Sequence, residues 1–334
     1  MKKQAIGTLA MIMTGLMLIT GCAGQSTATS TQNVGQASEK TGEVSFPLTI
    51  KDDAGKTVTL EKKPQKIAAI SSTMIGALYA VGGKSITRVE AKGESSLPKE
   101  AESAESVGHV NEINMEKLVA LQPDLVIAQL GSHEKYAEIL ESAKIPVVLL
   151  QMKSYGDTQE KLRLMGKITG NTAKAEEAVA NMESKIAALT KKLPQNPKKV
   201  VILYTTSQNI SVKLDNSIAG DVAKILKLDN IASGLKAEKA GGENAPFSME
   251  KIVESNPDVI LVTTMVTSKE LADERIRKDL ESNPAWNQLK AVKEKRIYTL
   301  PQKFFLTNPG EQYPEAIEYM AKLVYPEVYG NVAN

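Results

Sequence analysis

Two rhythms of apolar residues organise this chain of 334 residues. Apolar residues that alternate with polar ones mark half-buried strands, spacings of three and four mark helices, and short unbroken apolar runs mark strands covered on both faces. Leu48 and Ile50 alternate with polar neighbours, Asp53-Ala54-Gly55 supplies a turn, and Val58 and Leu60 alternate again. Residues 47–62 therefore predict a β-hairpin. Lys66–Ile70 predicts a short strand. It leads into Ser71-Ser72-Thr73, which offers a cap for a helix over Met74–Val81 that Gly82-Gly83 closes. Ile86–Ala91 predicts the next strand.

A second pattern lies above the first, because one stretch occurs twice. Residues 114–128 and 248–262 share Met115/Met249, Glu116/Glu250, Lys117/Lys251, Val119/Val253, Pro123/Pro257 and Asp124/Asp258. Each copy predicts helix, turn and strand. Asn114 and Ser248 are good N-cap types, and Glu116 and Glu250 sit where the helix dipole favours acids. The prolines stop the helices, and Leu125–Ala128 and Val259–Val262 read as buried parallel strands. A helix over 134–143 and strand Pro146–Leu150 follow the first copy. Strand 199–204 and a helix near 217–227 precede the second, and helix 269–280 and strand Arg296–Leu300 follow it. Alternating strands and helices predict parallel sheets with right-handed crossovers. Two copies are too few for a solenoid and fit two facing lobes with a cleft between them.

Between the halves, Ala175, Ala178, Val179, Met182, Ile186, Leu189 and Leu193 fall at helical spacing within a helical stretch from Asp157 to Leu193. Gly170-Asn171 marks a break, with Thr172 expected to cap the second segment. A helix is a stiff linker and disfavours large hinge closure.

The N-terminus changes the picture. Lys2 and Lys3 precede an apolar run from Ala5 to Ile19 and then Gly21-Cys22, which is the build of an export signal. The segment resembles a bacterial lipobox, which implies lipidation of Cys22 as the new N-terminus. Cys22 is the only cysteine, so no disulfide forms within one chain. Residues 23–43 are rich in Ser, Thr, Gln, Gly and Ala and read as a flexible tether. Without residues 1–21, which hold two lysines and no acid, the 41 basic side chains fall to 39 and match the 39 acidic ones. That balance gives no electrostatic case for nucleic acid.

The order and spacing of several short motifs resemble the substrate-binding lipoproteins of ABC importers for ferric siderophores, haem and cobalamin. They are Leu48-Thr49-Ile50-Lys51-Asp52-Asp53-Ala54-Gly55-Lys56-Thr57-Val58-Thr59-Leu60, Val107-Gly108 and Gly220-Asp221. Asn283-Pro284-Ala285-Trp286 followed by Leu289-Lys290-Ala291-Val292-Lys293, then Leu306-Thr307-Asn308-Pro309-Gly310 and a last helix over Pro314–Val324 complete the set. The resemblance implies an α/β fold: two αβ lobes with mostly parallel central sheets, joined by one long helix, with the ligand cleft between them. The expected divisions are a signal and lipidated cysteine over 1–22 and a tether over 23–45. An N-terminal lobe over 46–153, a helical linker over 154–193 and a C-terminal lobe over 194–334 follow. It also implies a permease and its ATPase as partners, a monomer held on the outer face of the membrane by its lipid, no intrinsic cofactor, and docking acids on the outer tips. By position those acids are Glu134 and Glu270.

Ligand contacts are expected from loops at the C-terminal ends of the strands, where helix N-termini also point. In the first lobe these are Ser71–Met74, Arg88–Lys92, His109–Asn111 and Gln129–Ser132. In the second they are Thr205–Asn209, Lys239–Asn244, Thr264–Thr267 and Gln302–Leu306. Ser72, Thr73, Met74, Arg88, Lys92, His109 and Asn111 are the candidates of the first lobe, and Tyr204, Thr205, Met265, Phe304 and Phe305 those of the second. Lys213 and Lys239 add positive charge suited to anionic siderophores. His109 and Met265 form a pair able to hold haem iron axially. Haem-binding relatives use a methionine and a histidine from opposite lobes, but their methionine aligns with Asn111 and their histidine with Met265, so the roles would be reversed here. His133 is read as the start of an outer helix with no ligand role, and Trp286 as packing. A zinc or manganese receptor would want several histidines and carboxylates together, and only two histidines exist. An exported enzyme is the remaining alternative, and no nucleophile elbow, metalloprotease motif or phosphate loop supports it.

Overall fold

The computed structural model describes residues 44–90, 97–265, 274, 280 and 283–332. The signal, Cys22, the tether up to residue 43, Lys92, Thr267, Glu270 and most of the helix expected over 269–280 lie outside them. The chain opens with the expected hairpin, β1 (Leu48–Lys51) paired antiparallel with β2 (Thr57–Leu60). Gly55, at φ 84°, makes its turn. Two acids at the turn fasten it to the first half. Asp52 Oδ2 accepts from the Leu149 amide at 3.1 Å, and Asp53 Oδ2 from the Gln151 amide at 2.6 Å. Asp53 Oδ1 accepts from Lys161 Nζ at 2.8 Å, which pairs a lysine whose side chain is almost fully buried.

The first half continues with β3 (Ile67–Ala69), α1 (Ser72–Ala80), β4 (Thr87–Glu90), β5 (Glu105–His109), β6 (Glu112–Ile113) and α2 (Met115–Ala120). Then come β7 (Leu125–Gln129), α3 (Glu134–Ser142) and β8 (Val147–Leu150). Strands β3, β7 and β8 form a parallel sheet, and β4, β5 and β6 a smaller mixed one. The second half holds β9 (Lys199–Thr205), β10 (Ile210–Lys213), α6 (Ile218–Ile225), β11 (Asp229–Asn230), β12 (Asn244–Pro246), α7 (Met249–Ser255), β13 (Val259–Thr264) and β14 (Ile297–Thr299). Its sheet runs β12-β10-β9-β13-β14, with β9, β13 and β14 parallel.

The repeated stretch performs the same task twice. Asn114 and Ser248 cap α2 and α7 by accepting from the amides of Lys117 and Lys251. Gln122 (φ 50°) and Asn256 (φ 43°) then turn the chain in the left-handed region ahead of the buried prolines. The aspartate that follows grips the entry of the neighbouring strand. Asp124 accepts from the amides of Gln65 and Lys66, and Asp258 from that of Lys199. A carboxylate holding backbone amides fixes where strand pairing starts, and hence the register of β3 on β7 and of β9 on β13.

Between the halves run α4 (Tyr155–Thr169) and α5 (Thr172–Thr190). Ser154 and Asp157 form a capping box at the start of α4. The expected break at Gly170-Asn171 is present, and the chain reverses there. Gly170 is left-handed, the Asn171 amide bonds back to Gly166 O, and the Arg163–Glu176 ion pair and Gln159–Glu183 hydrogen bond zip α4 against α5. Helix α5 is thus the single connector, returning toward the second half against the C-terminal helix Tyr313–Val324. The cap expected at Thr172 is corrected: Thr172 is already helical, and the cap position, Asn171, makes no side-chain bond.

Strand alternation divides the core. On β9 and β13, Val200, Ile202, Val259 and Leu261 face a large cluster that runs through α6, the C-terminal helix, α5, α4 and α1 into the first-half sheet. Val201, Leu203, Ile260 and Val262 face a smaller cluster around Trp286 on the opposite side. Among the described residues no helix is long and apolar enough to cross a membrane.

Candidate functional site

In the first half, Ser71–Met74, His109–Asn111 and Gln129–Ser132 lie at strand ends, whereas Arg88, expected in a loop, is corrected: it lies within β4, paired with Ser106 of β5. Ser71 caps α1, its hydroxyl accepting from the Met74 amide at 3.3 Å. Ser72 is half-buried, whereas Thr73 and Met74 are buried and Met74 has no exposed surface. Met74, the third residue of α1, lies with Ile75, Ala77 and Leu78 on the buried side of the helix, so it packs in the core and offers nothing to a solute in this conformation. Arg88 is half-buried and its Nε has no partner, with the guanidinium close enough to Glu105 to favour its charge. Lys117, beside Glu105, supplies most of that effect and holds the carboxyl below its ordinary range.

His109 and Asn111 are exposed. His109 Nε2 lies 3.7 Å from Glu90 Oε2, and Glu90 Oε1 accepts from the Ser106 hydroxyl at 2.8 Å. Behind this loop stands the histidine read as a plain helix start, and that reading is corrected. His133 does precede α3, but it is fully buried. Its Nδ1 accepts from the Gln129 amide at 3.1 Å, so Nε2 carries the hydrogen and donates it to Val110 O at 2.7 Å. His133 thus ties the end of β7 to the loop carrying His109 and Asn111. Burial pushes its pKa down, outweighing the Val110 carbonyl and Glu134. Glu134 itself is exposed, with Oε1 accepting from the Gly131 amide.

In the second half, Thr205 and Phe305 are buried in the core and, like Met74, do not reach the surface. Thr205 lies on the β9 face that carries Val201 and Leu203, turned away from the first half. Phe305 packs edge-on against Phe304, which is half-buried and also meets Tyr319. Met265, which follows β13, is the most exposed large apolar side chain described, at 60%. Lys239 is exposed and carries no ion pair among those described, while Trp286 is fully buried and packs as expected.

Tyr204 is half-buried and does meet charge. Lys213 Nζ sits 4.3 Å from its ring centroid, a cation–π distance. Lys213 also faces Glu243 Oε2 at 3.5 Å, and Glu243 Oε1 pairs with Lys153 at 3.0 Å. Sequence reasoning missed Lys153 and Glu243. The one available signal for Glu243 was its place in the expected loop Lys239–Asn244. A second junction lies nearby: Asp221 Oδ2 accepts from the Tyr155 amide at 2.8 Å and from the Tyr313 hydroxyl at 2.7 Å. Gly220 precedes it because a Cβ there would sit 2.1 Å from Leu214 O. Among the described residues no three His, Cys, Asp or Glu side chains gather as a metal site.

A two-lobed α/β body with its polar and aromatic side chains at strand ends and at the junction of the halves is the build of a solute receptor. The chain belongs to the periplasmic binding protein family, whose pattern matches residues 67–304, a family of binding proteins rather than enzymes. It is 27% identical to YvrC, an ABC transporter substrate-binding lipoprotein of Bacillus subtilis, over 98% of this chain and 99% of that one. It is 26% identical to the iron-uptake system-binding protein of the same organism, over 89% and 90%. Among solved structures, Staphylococcus aureus SirA complexed with staphyloferrin B superposes with a TM-score of 0.67 at 20% identity, over 83% of this chain and 97% of that one. That likeness shows the fold.

Proposed function

We propose that this protein is the extracytoplasmic receptor of an ABC importer, that it captures an iron chelate between its lobes, and that it hands the chelate to the permease. The observation that carries this reading is the placement of His109, Tyr204, Lys213 and Met265 at strand ends or at the junction of the halves, with partly accessible or charged groups. The likeness to an iron-uptake binding protein over most of both chains supports it. Lipidation of Cys22 would hold the receptor on the outer face of the membrane, with residues 23–45 as its leash. Glu134, exposed at the first position of α3, and Glu270 are the acids offered to permease arginines. Haem is a second reading, favoured by the exposure of both His109 and Met265.

Calorimetric titration of the full chain in detergent with ferric citrate, a neutral ferric trihydroxamate, haemin and cyanocobalamin tests the proposal. One saturable one-to-one iron ligand is expected; binding of cyanocobalamin alone would overturn the iron-chelate reading, and no saturable binding to any of the four would overturn the receptor reading as well. If haemin is the ligand, a Soret shift lost in His109→Ala and Met265→Ala supports the axial pair. A shift unchanged in both variants rejects that pair.

A further inference from the structure

Four side chains from distant parts of the chain meet where the first half ends and the second half faces it. Lys153 follows β8 by three residues. Tyr204 and Lys213 lie on β9 and β10. In the β9–β10 register Tyr204 opposes Ser211, so Lys213, two residues on, shares its face. That face is the one whose neighbours Val200 and Ile202 point toward the shared core and the first half. Glu243 comes from the loop before β12. The side chain of Lys213 is 8% exposed, that of Glu243 24% and that of Lys153 35%.

Among the described ion pairs, two ammonium groups, Lys153 and Lys213, share one carboxylate, Glu243. Asp157 and Asp221, which also lie at this junction, instead accept from backbone amides at the start of α4. Burying an ammonium is costly without a counter-ion, and the Glu243 contact to Lys213, at 3.5 Å, is long for a charged hydrogen bond. Burial accordingly pushes the Lys213 pKa down, Glu243 pulls it back, and Lys153 opposes that pull. The Tyr204 ring supplies a face that stabilises the cation whichever anion stands beside it.

We propose that Lys213, Lys153 and Tyr204 form a subsite for the carboxylate of an anionic ferric chelate, and that Glu243 is its internal stand-in, holding the lysines until the ligand anion replaces it. This rests on the receptor reading above and adds the charge class of the ligand. Glu243 then selects by charge. An anionic chelate regains, in place of Glu243, the interactions it breaks. A neutral solute separates Glu243 from the lysines and gains nothing in return. The Lys153–Glu243 pair also ties the end of the first half to the second, so the exchange reports occupancy at the junction.

The test is calorimetric titration of the full chain in detergent with ferric citrate and with a neutral ferric trihydroxamate, for the parent, Lys213→Met, Lys213→Arg and Glu243→Gln. Lys213→Met is expected to weaken ferric citrate by about tenfold or more, the scale of a lost charge-assisted bond. Lys213→Arg, which keeps the charge, is expected to retain binding within about threefold, and equal melting temperatures for the two variants would exclude misfolding as the cause. Glu243→Gln is expected to tighten ferric citrate about three- to tenfold, because the lysines lose their resident partner. A purely structural carboxylate would produce the opposite sign. Weaker or unchanged ferric citrate binding in Glu243→Gln overturns the proposal. Binding of the neutral chelate alone, unmoved by the variants, overturns the subsite and leaves the receptor reading standing. Absence of binding by both chelates overturns the subsite, and absence of haemin binding as well overturns the iron-chelate reading with it.

Discussion

His133 carries a consequence at the scale of one residue. It is held neutral by burial, with one ring nitrogen accepting and the other donating. Its folded pKa lies below the unfolded value of about 6.5, so the unfolded chain binds the extra proton in mildly acidic solution. Its contribution is therefore complete above that value and is lost as pH falls from it toward the folded pKa. Urea denaturation at about pH 8 and about pH 5.5 should show a drop that shrinks in His133→Gln, and an equal drop in both proteins would remove His133 as the cause. Asp221 gives a second prediction. It serves the Tyr155 amide and the Tyr313 hydroxyl with one oxygen, so Asp221→Ala should cost about 1–3 kcal/mol in the same assay. Neither role was visible in the sequence. A histidine before a helix reads alike whether it points out or in. The Gly220-Asp221 pair showed that the position mattered, while its partners lie 66 and 92 residues away. Met74, Thr205 and Phe305 were misjudged for one shared reason. A loop can be placed at a strand end from period and caps, but which of its side chains turn inward depends on the packing beneath.

Among the elements, the repeated helix-turn-strand was the most legible, because its caps, its prolines and its apolar runs each have a local cause. The reversal between α4 and α5 was legible only as a break. Glycine at 170 says that a helix ends, and the direction taken next is set by Arg163, Glu176, Gln159 and Glu183 together with the close approach at Gly166. A Cβ on Gly166 would stand 2.5 Å from the Cβ of Ala175, so the two helices touch backbone to side chain there. Gly166→Ala should cost about 1–3 kcal/mol by overpacking, read as a lower urea midpoint with an unchanged slope. If the variant is as stable as the parent, the helices are not packed this closely. The paired aspartates Asp124 and Asp258 show a related point. Burial alone would raise Asp258, but Lys290 and the Lys199 amide outweigh it and hold the carboxyl low, so it stays charged while it sets the strand register.

Across the whole molecule, the sequence division into two lobes and the division of the core do not coincide. One apolar cluster passes from the hairpin through α1, α4, α5 and α6 to the C-terminal helix, and only the smaller cluster around Trp286 belongs to one half alone. Because Trp286 is the single tryptophan, its fluorescence follows the smaller cluster, while circular dichroism follows all the helices. The shared cluster predicts that both signals fall at the same urea concentration, and two separated midpoints would contradict it. The same feature sets a limit on what can be built from this protein. Cutting it between the halves would strip the apolar sides of α5, α6 and the last helix, leaving fragments that aggregate rather than reassemble on cue. A sensor made from this receptor would have to keep the chain whole and place its reporter at the rim, beside Met265 or His109, where the surface is already open to water.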